Sequence, residues 1–113
     1  MEIKKEIIKD VTVLTLIGNL LGEKDSESIK EIVVSAIEDD RPNFVFNVKN
    51  MEYINSTGLS ILISTLTKAR KENGELCLVN VPEQLESLLK ITKLDKIFPY
   101  CNNIEEAIYK LTE

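Results

Sequence analysis

The chain opens with two apolar stretches that lack helical spacing. Glu2–Lys9 and Val11–Ile17 are rich in Ile, Val and Thr, and a short turn at Lys9-Asp10 separates them. Short runs of β-branched residues predict strands, so a hairpin is expected here. The second stretch is apolar on both faces, which indicates a strand covered at least partly on both sides. Gly18-Asn19 is expected to end it.

Later segments place apolar residues at helical spacing. The first helix is expected to begin at an N-cap formed by Asp25 or Ser26. It should end at Asp39-Asp40-Arg41-Pro42, because Pro42 has no N–H to donate to a continuing helix. Its apolar face comprises Ile29, Ile32, Val33, Ala36 and Ile37.

The second helix is expected from Ser56 to about Asn73, with Asn73-Gly74 as its C-cap. At about 100° per residue its large apolar side chains share one narrow sector, which predicts the core face. That sector contains Leu59, Leu62, Ile63 and Leu66, with Ala69 at its margin.

A third helix is expected with Pro82 in its first turn, and a last one behind a cap at Asn102 or Asn103. Two short apolar runs between the helices predict buried strands, Phe44–Val48 and Leu76–Val79, and the first is expected to be central. A brief additional strand is expected near Tyr100. Alternating strands and helices require crossover connections and mostly parallel pairing. The sequence therefore predicts one α/β domain over residues 1–113, with a mostly parallel mixed sheet of four to five strands and about four helices.

Composition disfavours several classes of function. The 113 residues are 43% apolar and 29% charged, which is typical of a globular protein. The net charge of -5, with scattered basic residues, disfavours direct nucleic-acid binding. No apolar run approaches the roughly 18 residues of a membrane span. The first residues lack the apolar region of a secretory signal, so a cytoplasmic protein without membrane insertion is expected.

Candidate enzyme chemistry is scarce. The chain has no histidine, which removes Ser-His-Asp hydrolases and most zinc sites. Neither a P-loop nor a G-x-S-x-G motif is present, so neither an enzyme nor a cofactor is expected. Cys77 and Cys101 are interpreted as two buried reduced thiols, with a disulfide or redox pair as the alternative.

The residues that stand out are Asn55-Ser56-Thr57-Gly58, between a strand and a helix. Asn55 or Ser56 could simply cap the helix. The amino end of a helix also favours an anion, including a phosphate attached to Ser56. Gly58 in the first turn suggests that another backbone comes close, although packing of the helix against the sheet would explain it as well. Ile61 lies opposite the predicted core face, with Thr57, Ser64 and Lys68, and is either an ordinary exposed isoleucine or the apolar centre of a docking surface.

Several of these segments resemble the STAS domain family. Phe44–Val48 followed by Met51–Leu59 is similar to the family's buried strand leading into Asp-Ser-Ser/Thr-Gly-Leu, and Gly74–Asn80 is similar to its next strand. Its carboxy-terminal pattern is similar to Pro82, Leu88, Leu94–Phe98 and Glu106-Ala107. The resemblance covers nearly the whole chain and implies a member of the bacterial anti-sigma factor antagonist branch.

That resemblance implies a function by partner switching. In the family the serine of this motif is phosphorylated by a protein that is both serine kinase and anti-sigma factor, which implies Ser56 as acceptor and Thr57 as a less favoured one. The unphosphorylated antagonist binds the kinase and frees the sigma factor, and a metal-dependent serine phosphatase resets the phosphorylated form. ATP and its metal belong to the kinase, so no cofactor or metal is expected in this chain.

The partner is expected to contact the helix start and its outer side, and the chain to be a monomer or weak dimer. Two residues depart from the family: Asn55 replaces its usual aspartate, and Leu21 follows Gly18-Asn19-Leu20 where an aspartate is common. The alternative is a constitutive STAS subunit of a transport or stress-signalling complex, without a phospho-switch. The expected contact residues are Asn55, Ser56, Thr57, Gly58, Ile61 and Lys68.

Overall fold

The computed structural model describes residues 1–113 and contains six strands and four helices. The strands are β1 (Glu2–Ile8), β2 (Val11–Leu20), β3 (Asn43–Asn47), β4 (Met51–Ile54), β5 (Glu75–Val79) and β6 (Tyr100–Cys101). The helices are α1 (Glu23–Glu38), α2 (Ser56–Lys71), α3 (Glu83–Ile91) and α4 (Ile104–Thr112). The predicted α/β fold class is confirmed, with one strand more than expected.

Five strands follow the order β1-β2-β3-β5-β6, and β4 pairs with β2 alone. β1 runs antiparallel to β2 through the turn at Lys9-Asp10, where both residues have positive φ angles, as in the tight turns that suit a twisted hairpin. All other pairings are parallel. Because parallel neighbours need crossover connections, the helices join them, and β3 lies at the centre as predicted.

The end of β2 differs from the prediction. Gly18-Asn19 does not end the strand, which continues to Leu20 with a register shift at this dipeptide. Gly18 has a φ of 103°, a conformation that costs glycine little and allows a bulge. Thr12–Thr15 pair with β3, whereas Gly18–Leu20 pair with β4, which was expected to be loop. Since β3 stops at Asn47, the later half of β2 has a free edge that β4 occupies.

Apolar side chains form one cluster on each face of the sheet. The larger cluster, with 19 buried residues, lies between the sheet and α1, α2 and α3 and includes Leu14 and Phe46. The smaller, with 8 buried residues, lies beneath α4 and includes Val13 and Cys77. Since successive residues of β2 enter different clusters, the predicted burial of this strand on both faces is confirmed.

Two helix ends differ from the prediction. α1 begins at Glu23 behind Gly22, without a side-chain cap, so neither Asp25 nor Ser26 serves as N-cap. The Asp25 carboxylate instead lies 3.7 Å from the N-terminal amine of Met1. α2 ends at Lys71, and Asn73, not Gly74, takes the left-handed conformation, with a φ of 63°. Gly74 is needed for another reason, because a Cβ there would overlap the Pro42 carbonyl.

The other helix starts agree closely with the sequence. Pro82 directly precedes α3. Asn103 caps α4, which decides between the two expected residues, and its Oδ1 accepts the Glu106 N–H at 2.8 Å. The Glu106 carboxylate in turn accepts the N–H of Asn102, the residue before the cap, at 3.3 Å, so the first turn of α4 is held from both sides.

Candidate functional site

Ser56 lies at the amino end of α2, as predicted. β4 ends at Ile54, Asn55 is the N-cap, and Ser56 is the first helical residue. Since β4 runs parallel to β2, this junction lies at the carboxyl edge of parallel strands, where α/β proteins commonly place ligands. Ser56 and Thr57 are both exposed.

Asn55 forms the cap, which decides the choice that the sequence left open. Its Oδ1 accepts the Gly58 N–H at 3.0 Å, and its Nδ2 donates to the Leu21 carbonyl at 2.8 Å. The Asn55 N–H also donates to the Leu20 carbonyl at 3.4 Å. One residue therefore caps α2 and ties it to the end of β2, so the cap does not use the Ser56 hydroxyl.

Gly58 allows α2 to approach the sheet closely. A Cβ at this position would overlap the Leu20 carbonyl and would lie 2.8 Å from side-chain carbons of Leu20 and Ile54. The expected close backbone approach is therefore present, and it is intramolecular. Gly58 is buried, so its contribution is to position Ser56 rather than to offer a surface.

The first turn of α2 differs in charge from those of the other helices. Unpaired N–H groups give any helix start a partial positive charge. α1, α3 and α4 each place two carboxylates in the first turn, whereas α2 places none there. The amino end of α2 is therefore not offset by its own side chains, and it can accept a phosphate on Ser56 at low cost.

The predicted exposure of Ile61 is wrong. Ile61 is only 7% exposed and belongs to the larger core cluster, whereas Ile63, predicted to face the core, is 37% exposed. The buried face of α2 is rotated relative to the predicted one. Gly58 and Thr65 lie on the buried face, and the prediction considered only the large apolar residues. Thr65 is tolerated there since its Oγ1 donates to the Ile61 carbonyl at 2.8 Å. The buried face comprises Gly58, Ile61, Leu62, Thr65, Leu66 and Ala69.

Other apolar side chains take the place of Ile61 on the surface. Tyr53 of β4 is 59% exposed, and Leu21, whose carbonyl binds Asn55, is 44% exposed. Ile63 lies two turns along α2 from Ser56. Sequence reasoning missed Tyr53 because β4 was expected to be loop, although Met51, Tyr53 and Ile54 within four residues were a weak strand signal.

Lys68 is not part of the immediate surroundings of Ser56. It follows Ser56 by twelve residues in the same helix, which is about 18 Å along the axis. Lys68 is partly buried and lines a shallow groove between α1 and α2 with Val34 and Ile37. A partner that contacts both residues must therefore extend along α2.

A second feature lies at the carboxyl ends of β5 and β6. A cleft of about 640 Å³ is lined there by Tyr100, Cys101 and three carboxylates. The Tyr100 hydroxyl is buried without a hydrogen-bond partner, and burial, followed by the nearby Asp95 and Glu86 carboxylates, raises its pKa. Separate segments contribute the lining, so no local motif indicates the cleft. Its carboxylates are Glu86, Asp95 and Glu106.

Cys77 and Cys101 are free and buried, which confirms the favoured prediction for the cysteines. Their Sγ atoms are 3.2 Å apart. Burial and a hydrogen bond with Cys101 raise the pKa of the Cys77 thiol to about 12. The spacing of the two cysteines along the chain did not predict their contact, because the order of strands in the sheet does not follow from that spacing.

Two further structural features bear on metal binding and on membrane insertion. No group of three or more His, Cys, Asp or Glu side chains is arranged to hold a metal ion. None of the helices combines the length and the apolar character that a bilayer crossing requires.

Comparison with known proteins gives the family. The family model described as STAS domain matches residues 2–107, and the chain therefore belongs to the STAS domain family. Among curated relatives, the chain is similar to the anti-sigma F factor antagonist of Paenibacillus polymyxa. The two are 24% identical over 112 residues, which cover 98% of this chain and 95% of that protein.

Solved structures share the fold. An anti-sigma factor antagonist from Mycobacterium paratuberculosis superposes with a TM-score of 0.82 at 23% identity, covering 99% of this chain and 94% of that one. The Bacillus cell fate determinant SpoIIAA in its phosphorylated form gives 0.78 at 18% identity, covering 96% and 98%. The sheet and the four helices described above are therefore those of STAS proteins.

Proposed function

We propose that this STAS protein is an anti-sigma factor antagonist whose binding to its partner is switched off by phosphorylation of Ser56. One observation carries the proposal. Ser56 is exposed at the amino end of the one helix whose first turn has no carboxylate, beside a cap that Asn55 makes without it. Relatives that bear the name of anti-sigma factor antagonists support the general role. The chain acts by binding and not by catalysis.

A phosphate on Ser56 would affect an interface more than the fold. It adds about -1.5 to -2 charges. At the amino end of α2 these charges meet the positive end of the helix, which is neutral or stabilising for the folded chain. In a contact surface the same phosphate must lose water, which costs several kcal/mol unless the partner provides a cation. Roughly 4 kcal/mol lowers affinity about a thousandfold, which suffices for a switch.

The proposed partner is an anti-sigma factor that is also a serine kinase, and a metal-dependent serine phosphatase reverses the reaction. ATP and its metal ion are bound by the kinase. Exposed apolar side chains surround Ser56 or lie on the same side of α2, namely Leu21, Tyr53 and Ile63. Such side chains can form the apolar centre of an interface once a partner covers them. Such partners place the complex in the cytoplasm.

Ser56 is the proposed acceptor rather than Thr57, although both are exposed. Ser56 follows the cap directly, in the position that the STAS motif assigns to the modified serine. Of the remaining expected contacts, Asn55 and Gly58 position the acceptor, and Lys68 extends the surface along α2. Ile61 is excluded from the surface by its burial.

One observation favours a second candidate, a constitutive STAS subunit of a larger complex. Asn55 replaces the carboxylate that is usual in the motif, and both ends of its amide are engaged in hydrogen bonds that hold α2. In that case the junction is a helix cap only. The subunit would stay bound to its partners regardless of phosphorylation.

Mass analysis of the protein isolated from its own cells separates the two. A population heavier by one phosphate, mapped to Ser56 and absent in Ser56→Ala, is expected. Thr57→Ala is the matched control and should retain the modification. Persistent absence of phosphate under growth and stress, together with full function of Ser56→Ala, would favour the constitutive subunit.

A further inference from the structure

The two cysteines are diagonal neighbours on adjacent strands. Val79 of β5 pairs with Cys101 of β6, and Cys77 precedes Val79 by two residues, so both thiols are on the same face of the sheet. Their Sγ atoms are 3.2 Å apart although the residues are 24 positions apart in sequence. Both side chains belong to the small cluster beneath α4.

The two thiols differ in access. Cys77 is fully buried, whereas Cys101 is 8% exposed and lines the 640 Å³ cleft at the carboxyl ends of β5 and β6. A small oxidant that enters this cleft meets Cys101 first. Cys77 lies behind it, within reach of a sulfur that has already reacted.

We propose that Cys77 and Cys101 are a modification site at which a small-molecule disulfide drives closure of an intrachain disulfide between β5 and β6. The thiolate of Cys101 attacks one sulfur of the small disulfide and releases one small thiol, leaving a mixed disulfide on Cys101. Cys77 then loses its proton to solvent and attacks the Cys101 sulfur, which releases the second small thiol. Two protein thiols are oxidised and one small disulfide is reduced to two thiols.

Closure of the bond requires β6 to shift along β5, because Cys101 is paired with Val79 and is therefore diagonal to Cys77. A disulfide bond is about 2.0 Å long, so the sulfur atoms must approach by roughly 1.2 Å. β6 contributes only Tyr100 and Cys101 to the sheet and lies at its edge, so it can move further than β5, which is paired on both sides. The bond would fasten the shortest strand, and the segment that leads into α4, to the interior of the sheet.

The second step is expected to be slow. Because burial raises the pKa of the Cys77 thiol, few molecules carry its thiolate at neutral pH. Closure should therefore be slow near pH 7 and faster in alkaline buffer. This behaviour distinguishes the pair from a rapid peroxide sensor and does not depend on the proposed phosphorylation of Ser56.

The test is incubation of the native full chain with excess oxidised glutathione at neutral and mildly alkaline pH. The expected product is a monomer lighter by two hydrogens, with a peptide that joins Cys77 to Cys101. Its thermal midpoint should rise by about 5 °C or more, because the link restricts the unfolded chain. Reduction should restore the original mass and midpoint.

Two serine variants make the test specific. Cys77→Ser should stop at a mixed disulfide, heavier by one glutathionyl group on Cys101. Cys101→Ser should remain unmodified while folded, since Cys77 is inaccessible. Linkage between two chains, linkage only in denaturant, or no linkage at all would each overturn the proposal.

Discussion

Helices α2 and α4 begin with the same cap but with different charges. Asn55 and Asn103 each accept the N–H of the third helical residue, at 3.0 and 2.8 Å. In α4, Glu105 and Glu106 add carboxylates to the first turn, so the positive helix end is already offset. In α2 the corresponding turn carries hydroxyls and no carboxylate.

The comparison of α2 with α4 distinguishes the requirements for a stable helix start from those for a phosphate-binding helix start, which a sequence motif does not distinguish. A well-formed helix start needs a cap, and both helices have one. A start that receives a phosphate also needs its positive end free of other anions and its acceptor hydroxyl exposed. Only the amino end of α2 satisfies both, and its rigid connection to β2 holds Ser56 in place.

The largest expected effect on stability concerns that rigid connection. Gly58→Ala should lower the free energy of unfolding by about 3 kcal/mol, because a Cβ would overlap the Leu20 carbonyl in a packed interior. Urea unfolding measures the change. Gly22→Ala is the matched control, since a Cβ there would have its nearest neighbour at 4.0 Å. Equal stability of the two variants would show that α2 is not held by this approach.

Removal of the two caps should have unequal effects. Asn55→Ala should destabilise by about 2 kcal/mol and Asn103→Ala by about 1 kcal/mol, because Asn55 also loses its hydrogen bond to the Leu21 carbonyl. The comparison is made by urea unfolding of both variants under identical conditions. A larger loss for Asn103→Ala would contradict the assignment of Asn55 as a tether between α2 and β2.

Charge changes at the starts of α2 and α4 should have opposite effects on the free energy of unfolding, and these should be the smallest effects of the three comparisons. Thr57→Glu should stabilise the fold by about 0.5 kcal/mol, whereas Glu105→Gln should destabilise it by a similar amount. Both effects should shrink at high salt, which screens exposed charges. A destabilising effect of Thr57→Glu at low salt would show that the amino end of α2 is not electropositive.

Local sequence patterns predicted much of this fold. They failed where contacts between distant segments determine which residues are buried or which strands pair. The strand cores and the start of α2 followed from β-branched runs and cap chemistry, which act over a few residues. The core face of α2 was misplaced because Gly58 and Thr65 lie on it, and Ile63 was consequently assigned inward. β4 was missed since its pairing depends on where β3 leaves the edge of β2 free.

The position of the candidate site followed from local sequence, whereas its surroundings did not. Ser56 was located by the strand-to-helix junction and by the family motif, both of which are local. The apolar surroundings at Leu21 and Tyr53 were not, because their exposure depends on how β2, β4 and α2 are arranged. The contact of Cys77 with Cys101 depends on strand order, which no spacing along the chain encodes.

The most direct test of the central claim is the affinity of the proposed partner, an anti-sigma factor with serine kinase activity, for two forms of this chain. Titration calorimetry with the unphosphorylated protein and with the form phosphorylated on Ser56 provides the comparison. Ser87→Asp, a charge added at an exposed serine of α3, is the matched control and should bind like the unmodified chain. We predict binding at least a hundredfold weaker for the phosphorylated form, equivalent to about 3 kcal/mol. Equal affinity of the two forms would contradict the switch.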